Sequence, residues 1–258
     1  MRAVTAVMVV SVRLTVLGAC GAWPEPGQAC SGFLVEHDGF RLLVDAGYAT
    51  MPRLLEHVPV SELDAVFISH GHPDHCADLN PLLRARAMGG DPAPPLPVYA
   101  LPGALDAVLA LDSPGTLAGS FTLCEITAGR RLGIGPFDAE TCLLPHWVPN
   151  VGLRLAAAGA ALAYTGDSGP DPGITTLARD ADLLLAEATY PGSVPPDSQG
   201  FLSSAPEAAR QAAQAGVAHL ALTHLWPGAS RDAARTAAEA AYPGPVSIAA
   251  PGLTLDLS

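Results

Sequence analysis

Apolar and polar residues alternate with a period of two in Val12-Arg13-Leu14-Thr15-Val16, the pattern of a strand with one buried face. Residues 31–35 and 40–45 repeat the theme on either side of Asp38-Gly39, a pair suited to a tight hairpin turn. A second hairpin is expected from residues 151–155 and 160–165 around Ala158-Gly159. Continuous apolar runs at 64–69 (DAVFIS), 182–186 and 217–223 read as strands buried on both faces. A short strand is expected at 97–100, several more across 121–144, and two at the end of the chain. Helices are predicted over 51–58 (stopped by Pro59), 78–88, 103–111, 171–179, from Ser204 to near Gly216, and over 230–241. Ser204 with Glu207 three residues on has capping-box spacing. Residues 89–97 and 190–201 are loops rich in Pro and Gly. Strands and helices are mixed in layers, an α/β (α+β) order, with no linker or repeat. One domain over residues 12–258 is expected, behind an N-terminal extension of residues 1–11.

Leu17-Gly18-Ala19-Cys20 also fits a lipoprotein cleavage site. Arg13 interrupts the apolar stretch before it, and the alternation favours a strand. No run reaches the ~18 apolar residues of a membrane span. The chain of 258 residues has a formal charge of −12, which disfavours a surface for long nucleic acids and leaves room for a small anionic substrate in a local pocket. Its five cysteines are odd in number and lack CxxC spacing, as expected of reduced thiols in the cytoplasm.

Chemistry concentrates in His70-Gly71-His72-Pro73-Asp74-His75. Three imidazoles and a carboxylate at the exit of a buried strand suit a divalent metal such as zinc, with manganese and iron also compatible. His146, Asp167 and His224 each follow a strand-like run. Singly, each reads equally well as a cap or loop residue. Together with the first cluster they supply donors for two metal ions. The remaining His37, His57 and His219 read as surface or hydrogen-bonded core residues.

With these residues the chain resembles the metallo-β-lactamase superfamily. HGHPDH matches the family's HxHxDH motif, and His146, Asp167 and His224 match its later ligand positions in order. The resemblance implies a four-layer αββα sandwich with metals at one edge. It implies one ion on His70, His72 and His146, and another on Asp74, His75 and His224, with Asp167 bridging. Ala186-Glu187-Ala188-Thr189 is similar to the ribonuclease Z branch, which includes small cyclic-nucleotide phosphodiesterases. That branch implies a shared hydroxide attacking phosphorus, catalytic roles for Asp74 and Glu187, and a homodimer as in related proteins. Two departures stand out. The His146–Asp167 interval holds a hairpin and no long RNA-gripping arm, and Phe201 stands where the branch carries a histidine that protonates the leaving group. Trp147 and Trp226, close behind ligand histidines, are candidates to wall the pocket. The expected activity is hydrolysis of small phosphodiesters. The alternatives are another ester (lactone, thioester or sulfate), a non-catalytic metal-binding or ligand-sensing relative, and transfer-RNA 3′ processing.

Overall fold

The computed structural model describes residues 11–90, 93–113 and 115–258. The extension at 1–11 therefore lies, except for Ser11, outside the described residues. In chain order the strands are β1 (Val12–Gly18), β2 (Gly32–His37), β3 (Phe40–Ala46), β4 (Ala65–Phe67), β5 (Leu96–Ala100), β6 (Phe121–Glu125) and β7 (Arg131–Ile134). They continue with β8 (Phe137–Leu144), β9 (Asn150–Ala157), β10 (Ala160–Tyr164), β11 (Leu183–Glu187), β12 (His219–Thr223), β13 (Val246–Ile248) and β14 (Thr254–Leu257). The α-helices are α1 (Thr50–Leu54), α2 (Pro73–Cys76), α3 (Leu79–Met88), α4 (Asp106–Leu109), α5 (Pro172–Leu177), α6 (Ala205–Ala215) and α7 (Arg231–Glu239).

Two seven-stranded sheets form, ordered β14-β1-β2-β3-β4-β5-β6 and β13-β12-β11-β10-β9-β8-β7. Each is antiparallel in one half and parallel in the other, the change falling at β3 in the first sheet and at β10 in the second. The side-chain period of two decides how they pack. Leu14 and Val16, Phe33 and Val35, and Val44 face Leu153, Leu155, Leu162, Tyr164 and Leu185 across the middle. The intervening residues face outward onto helices. Leu43, Val66 and Ile68 meet Leu54, Leu79 and Leu82, while Ala163, Leu184 and Leu222 meet the alanine faces of α6 and α7. Strands apolar on both faces are thereby covered on both, and the result is the αββα sandwich.

Both expected hairpins are present. Their turn residues, Asp38-Gly39 and Ala158-Gly159, all have positive φ, as a type I′ turn requires. The Ser204–Glu207 capping box opens α6, and left-handed Gly216 closes it. Some boundaries differ from expectation. The helix at 51–58 is only Thr50–Leu54 plus turns, and the one at 103–111 shrinks to Asp106–Leu109, because Gly103 has a φ of +77° that no helix accepts. A helical turn, α2, occupies Pro73–Cys76 where no helix was expected, since it lacks an apolar repeat. The 121–144 stretch is divided between the two sheets, β6 in one and β7–β8 in the other. Among the described residues no helix is long and apolar enough to cross a membrane.

Candidate metal centre

Six strands end at one edge of the sandwich, and each delivers a polar residue there. Asp45 is the last residue but one of β3, His70 follows β4, His146 follows β8, Asp167 follows β10, Glu187 ends β11 and His224 follows β12. The parallel pairings of β3 with β4 and of β10, β11 and β12 put their carboxyl ends on the same side, the usual location of ligand sites in α/β sheets. Pro73 starts α2 directly beyond His72, so a tight turn brings Asp74 and His75 back under the same edge. Close backbone packing holds this turn in place, because a Cβ on Gly47 would run into the Asp74 carbonyl.

All seven expected ligand residues converge. His70, His72, His146 and Asp167 form one group and Asp74, His75, Asp167 and His224 a second, the donor atoms of each group lying within 4.8 Å of one another. His72 Nδ1 is 3.1 Å from His70 Nε2 and 3.0 Å from His146 Nε2. Asp167 Oδ1 lies 3.2 Å from His75 Nε2, and Asp167 Oδ2 lies 3.1 Å from His224 Nε2. His224 Nε2 is also 3.1 Å from Asp74 Oδ2. Nitrogens about 3.3 Å apart are what a tetrahedral ion with bonds of ~2.0–2.1 Å imposes.

The outer nitrogens of the rings fix how the inner ones face. His146 Nδ1 must donate, since its partner at 3.0 Å is the Phe201 carbonyl. His75 Nδ1 donates to the Asp45 carboxylate at 2.7 Å. Ser69 spends its hydroxyl proton on Asp45, so His70 Nδ1 donates to Ser69 Oγ. In the neutral rings the Nε2 lone pairs are thus aimed inward at one another and at Asp167. His75 Nε2 and Asp167 Oδ1 are buried with no aligned hydrogen-bond partner. Orphaned lone pairs of this kind are costly unless a cation lies between them, so the ligand set fits divalent metal ions.

Electrostatics agree with that fit. Burial, reinforced by neighbouring imidazoles, holds His70 well below the usual imidazole range and lowers His72 and His146, leaving them neutral. At His75 and His224 burial is outweighed by Asp167 and Asp74, and both rings are raised. Asp74 and Asp167 are lowered in turn, the imidazoles overcoming burial. The raised rings favour a proton where the carboxylate charge calls for a cation.

Glu187, at the end of β11, is buried beside the site. Its Oε1 accepts the Thr189 N–H at 2.8 Å and its Oε2 the Ser203 N–H at 2.7 Å, with burial and Asp167 pushing its pKa up to about 8. It therefore ties together the loop of Thr189, whose hydroxyl meets His224 Nδ1 at 3.0 Å, and the loop of Phe201. Phe201 stacks on Trp147 with ring centroids 5.5 Å apart, whereas Trp226 lies with Trp23 and Tyr190. Asp45 was not singled out in the sequence, yet it orients two of the histidines. Its one signal was a carboxylate ending an apolar strand.

Known proteins of one superfamily resemble the chain. The family model described as a β-lactamase superfamily domain matches residues 40–225. A probable metallo-hydrolase of Bacillus subtilis, YhfI, is 32% identical over 93% of this chain and 98% of its own. The crystal structure of YhfI superposes with a TM-score of 0.87 at 30% identity, covering 95% of this chain and 99% of that one. A ribonuclease Z of Mycolicibacterium paratuberculosis is 30% identical over 84% of this chain and 86% of its own. A diphosphatase of the PhnP family shares the fold, with a TM-score of 0.74 at 20% identity over 96% of this chain and 98% of that one.

Proposed function

The chain belongs to the metallo-β-lactamase superfamily, and from that premise we propose that it is a binuclear metal-dependent hydrolase of small phosphodiesters. The observation that carries the reading is the pair of ligand groups sharing Asp167. His70, His72 and His146 would hold one ion, Asp74, His75 and His224 the other, and Asp167 would bridge. When bound, two such ions neutralise phosphoryl oxygens and make a water acidic enough to attack at neutral pH. A cationic centre also accounts for an anionic substrate reaching a chain of net charge −12.

The protein's own groups do the positioning. Asp74 is held by the Ala22 N–H at 2.8 Å, and as a carboxylate of the second group it would also orient the attacking water. Asp45 and Ser69 fix His75 and His70. Glu187 keeps the two loops around the site in register rather than exchanging protons with substrate. Phe201 offers no proton to a leaving group, so catalysis forgoes the ~10²–10⁴-fold that a general acid adds. A ribonuclease and a diphosphatase among the similar proteins support a phosphoryl substrate, and the net negative charge supports a small one.

Protein loaded with zinc or manganese and assayed on bis(p-nitrophenyl) phosphate and cyclic AMP tests the reading. Turnover is expected, and His70→Ala should abolish it with circular dichroism unchanged. Loaded protein inert on both compounds would favour the ligand-sensing alternative instead.

A further inference from the structure

All three tryptophans of the chain, Trp23, Trp147 and Trp226, are 37–50% exposed, and each lies within two residues of a ligand histidine or next to the residue whose N–H binds Asp74. Tryptophan is highly buried on average, and exposed apolar groups gathered in one place mark ligand surfaces. They fall into two groups, one beside each set of ligands. Trp147 follows His146 directly and stacks at 23° on Phe201, whose carbonyl holds His146 Nδ1. Trp226 lies two residues beyond His224, and its backbone N–H binds the carbonyl of Thr189, the residue whose hydroxyl meets His224. Tyr190 stacks on Trp226 at 12° and Trp23 meets it edge-on at 5.1 Å. Trp23 itself follows Ala22, the donor to Asp74.

Aromatic rings thus stand against His146, where Trp147 lies with ring centroids 5.1 Å apart, and follow His224 in the chain at Trp226. A phosphodiester has two ester arms, one for each. We propose that the substrate carries a flat base on both arms and is a dinucleotide-sized phosphodiester, an inference that rests on the phosphodiesterase reading. Aromatic side chains bind bases of any identity through their faces, each stack adding about 5- to 150-fold in affinity. A single-base diester uses one surface and leaves the other wet. The net charge of −12 limits the length, since every further phosphate meets a repulsive average field. In the reaction water adds its oxygen to phosphorus, the P–O bond to one nucleoside breaks, and a water proton ends on the departing hydroxyl. The products are a mononucleotide and a nucleoside.

The test compares adenylyl-(3′→5′)-adenosine with the methyl ester of adenosine 3′-monophosphate on manganese-loaded protein. Quenching of tryptophan fluorescence by the phosphorothioate analogue of each gives affinity independently of turnover. The dinucleotide should be favoured at least tenfold in kcat/KM and in affinity. Trp147→Ala and Trp226→Ala should each cut its kcat/KM about tenfold, and one of them should erase the preference. Equal constants for the two compounds would overturn the inference, as would a preference that survives in both variants. If neither compound is hydrolysed, the phosphodiesterase reading falls while the fluorescence titration still decides the two aromatic seats. A tenfold tighter dinucleotide upholds them there, and equal affinities remove them.

Discussion

Four donors converge on the Asp45 carboxylate: the Ser69 N–H and hydroxyl, His75 Nδ1 and the Tyr164 hydroxyl, all within 2.7–2.8 Å. Replacing it with asparagine would turn an N–H toward groups that also donate. Asp45→Asn is expected to cost about 1–3 kcal/mol of stability, as for a buried polar group left unsatisfied. It should also weaken metal binding by about 10–100-fold, as losing the partner of a ligand imidazole does. Chemical denaturation and zinc titration measure the two, and a variant unchanged in both would remove Asp45 from the account. The ligands themselves were readable in the sequence, because three imidazoles and a carboxylate crowded into six residues behind a buried strand are costly to hold together unless a cation binds them. Asp45 was not, because an aspartate before Ala46-Gly47 is also the ordinary start of a turn. The partners of Glu187, the backbone N–H groups of Thr189 and Ser203, are likewise ones that a sequence does not mark.

At the level of elements, the strands and tight turns were clearest where a local rule decides them. Alternation marked β1, and Asp38-Gly39 and Ala158-Gly159 marked the hairpins. Ala158 carries a φ of +51° at an exposed turn, a conformation that costs an L residue ~1–2 kcal/mol and that asparagine tolerates better. Ala158→Asn should therefore stabilise the protein by about 0.5–1 kcal/mol, seen as a higher urea midpoint with unchanged slope. A lower midpoint would mean that the turn is not of the type described. Short helices were less readable. Nothing periodic in Pro73-Asp74-His75-Cys76 announces α2, and its shape follows from Pro73 at the first helical position and from packing against Gly47. The division of residues 121–144 between two sheets is likewise a tertiary outcome, because each strand there has the same local pattern whichever sheet it joins.

For the whole molecule, two sheets of matching half-antiparallel, half-parallel design meet face to face, and the carboxyl ends of their strands build one site. That architecture followed from the family resemblance rather than from the apolar pattern, which predicted layers without their order. The exposure of all three tryptophans was beyond the sequence, since a tryptophan beside a histidine is equally at home in a core. The five cysteines are free and none joins either ligand group. Burial pushes the Cys20 and Cys76 thiols up to about 11 and about 12, which keeps them protonated at neutral pH. The direct test is anomalous diffraction at the zinc edge from crystals grown with the metal. Two peaks about 3.5–4 Å apart, one among His70, His72 and His146, the other among Asp74, His75 and His224, with Asp167 between, are the expected result. A single peak, or side chains turned apart with no peak among them, would contradict the two-ion centre.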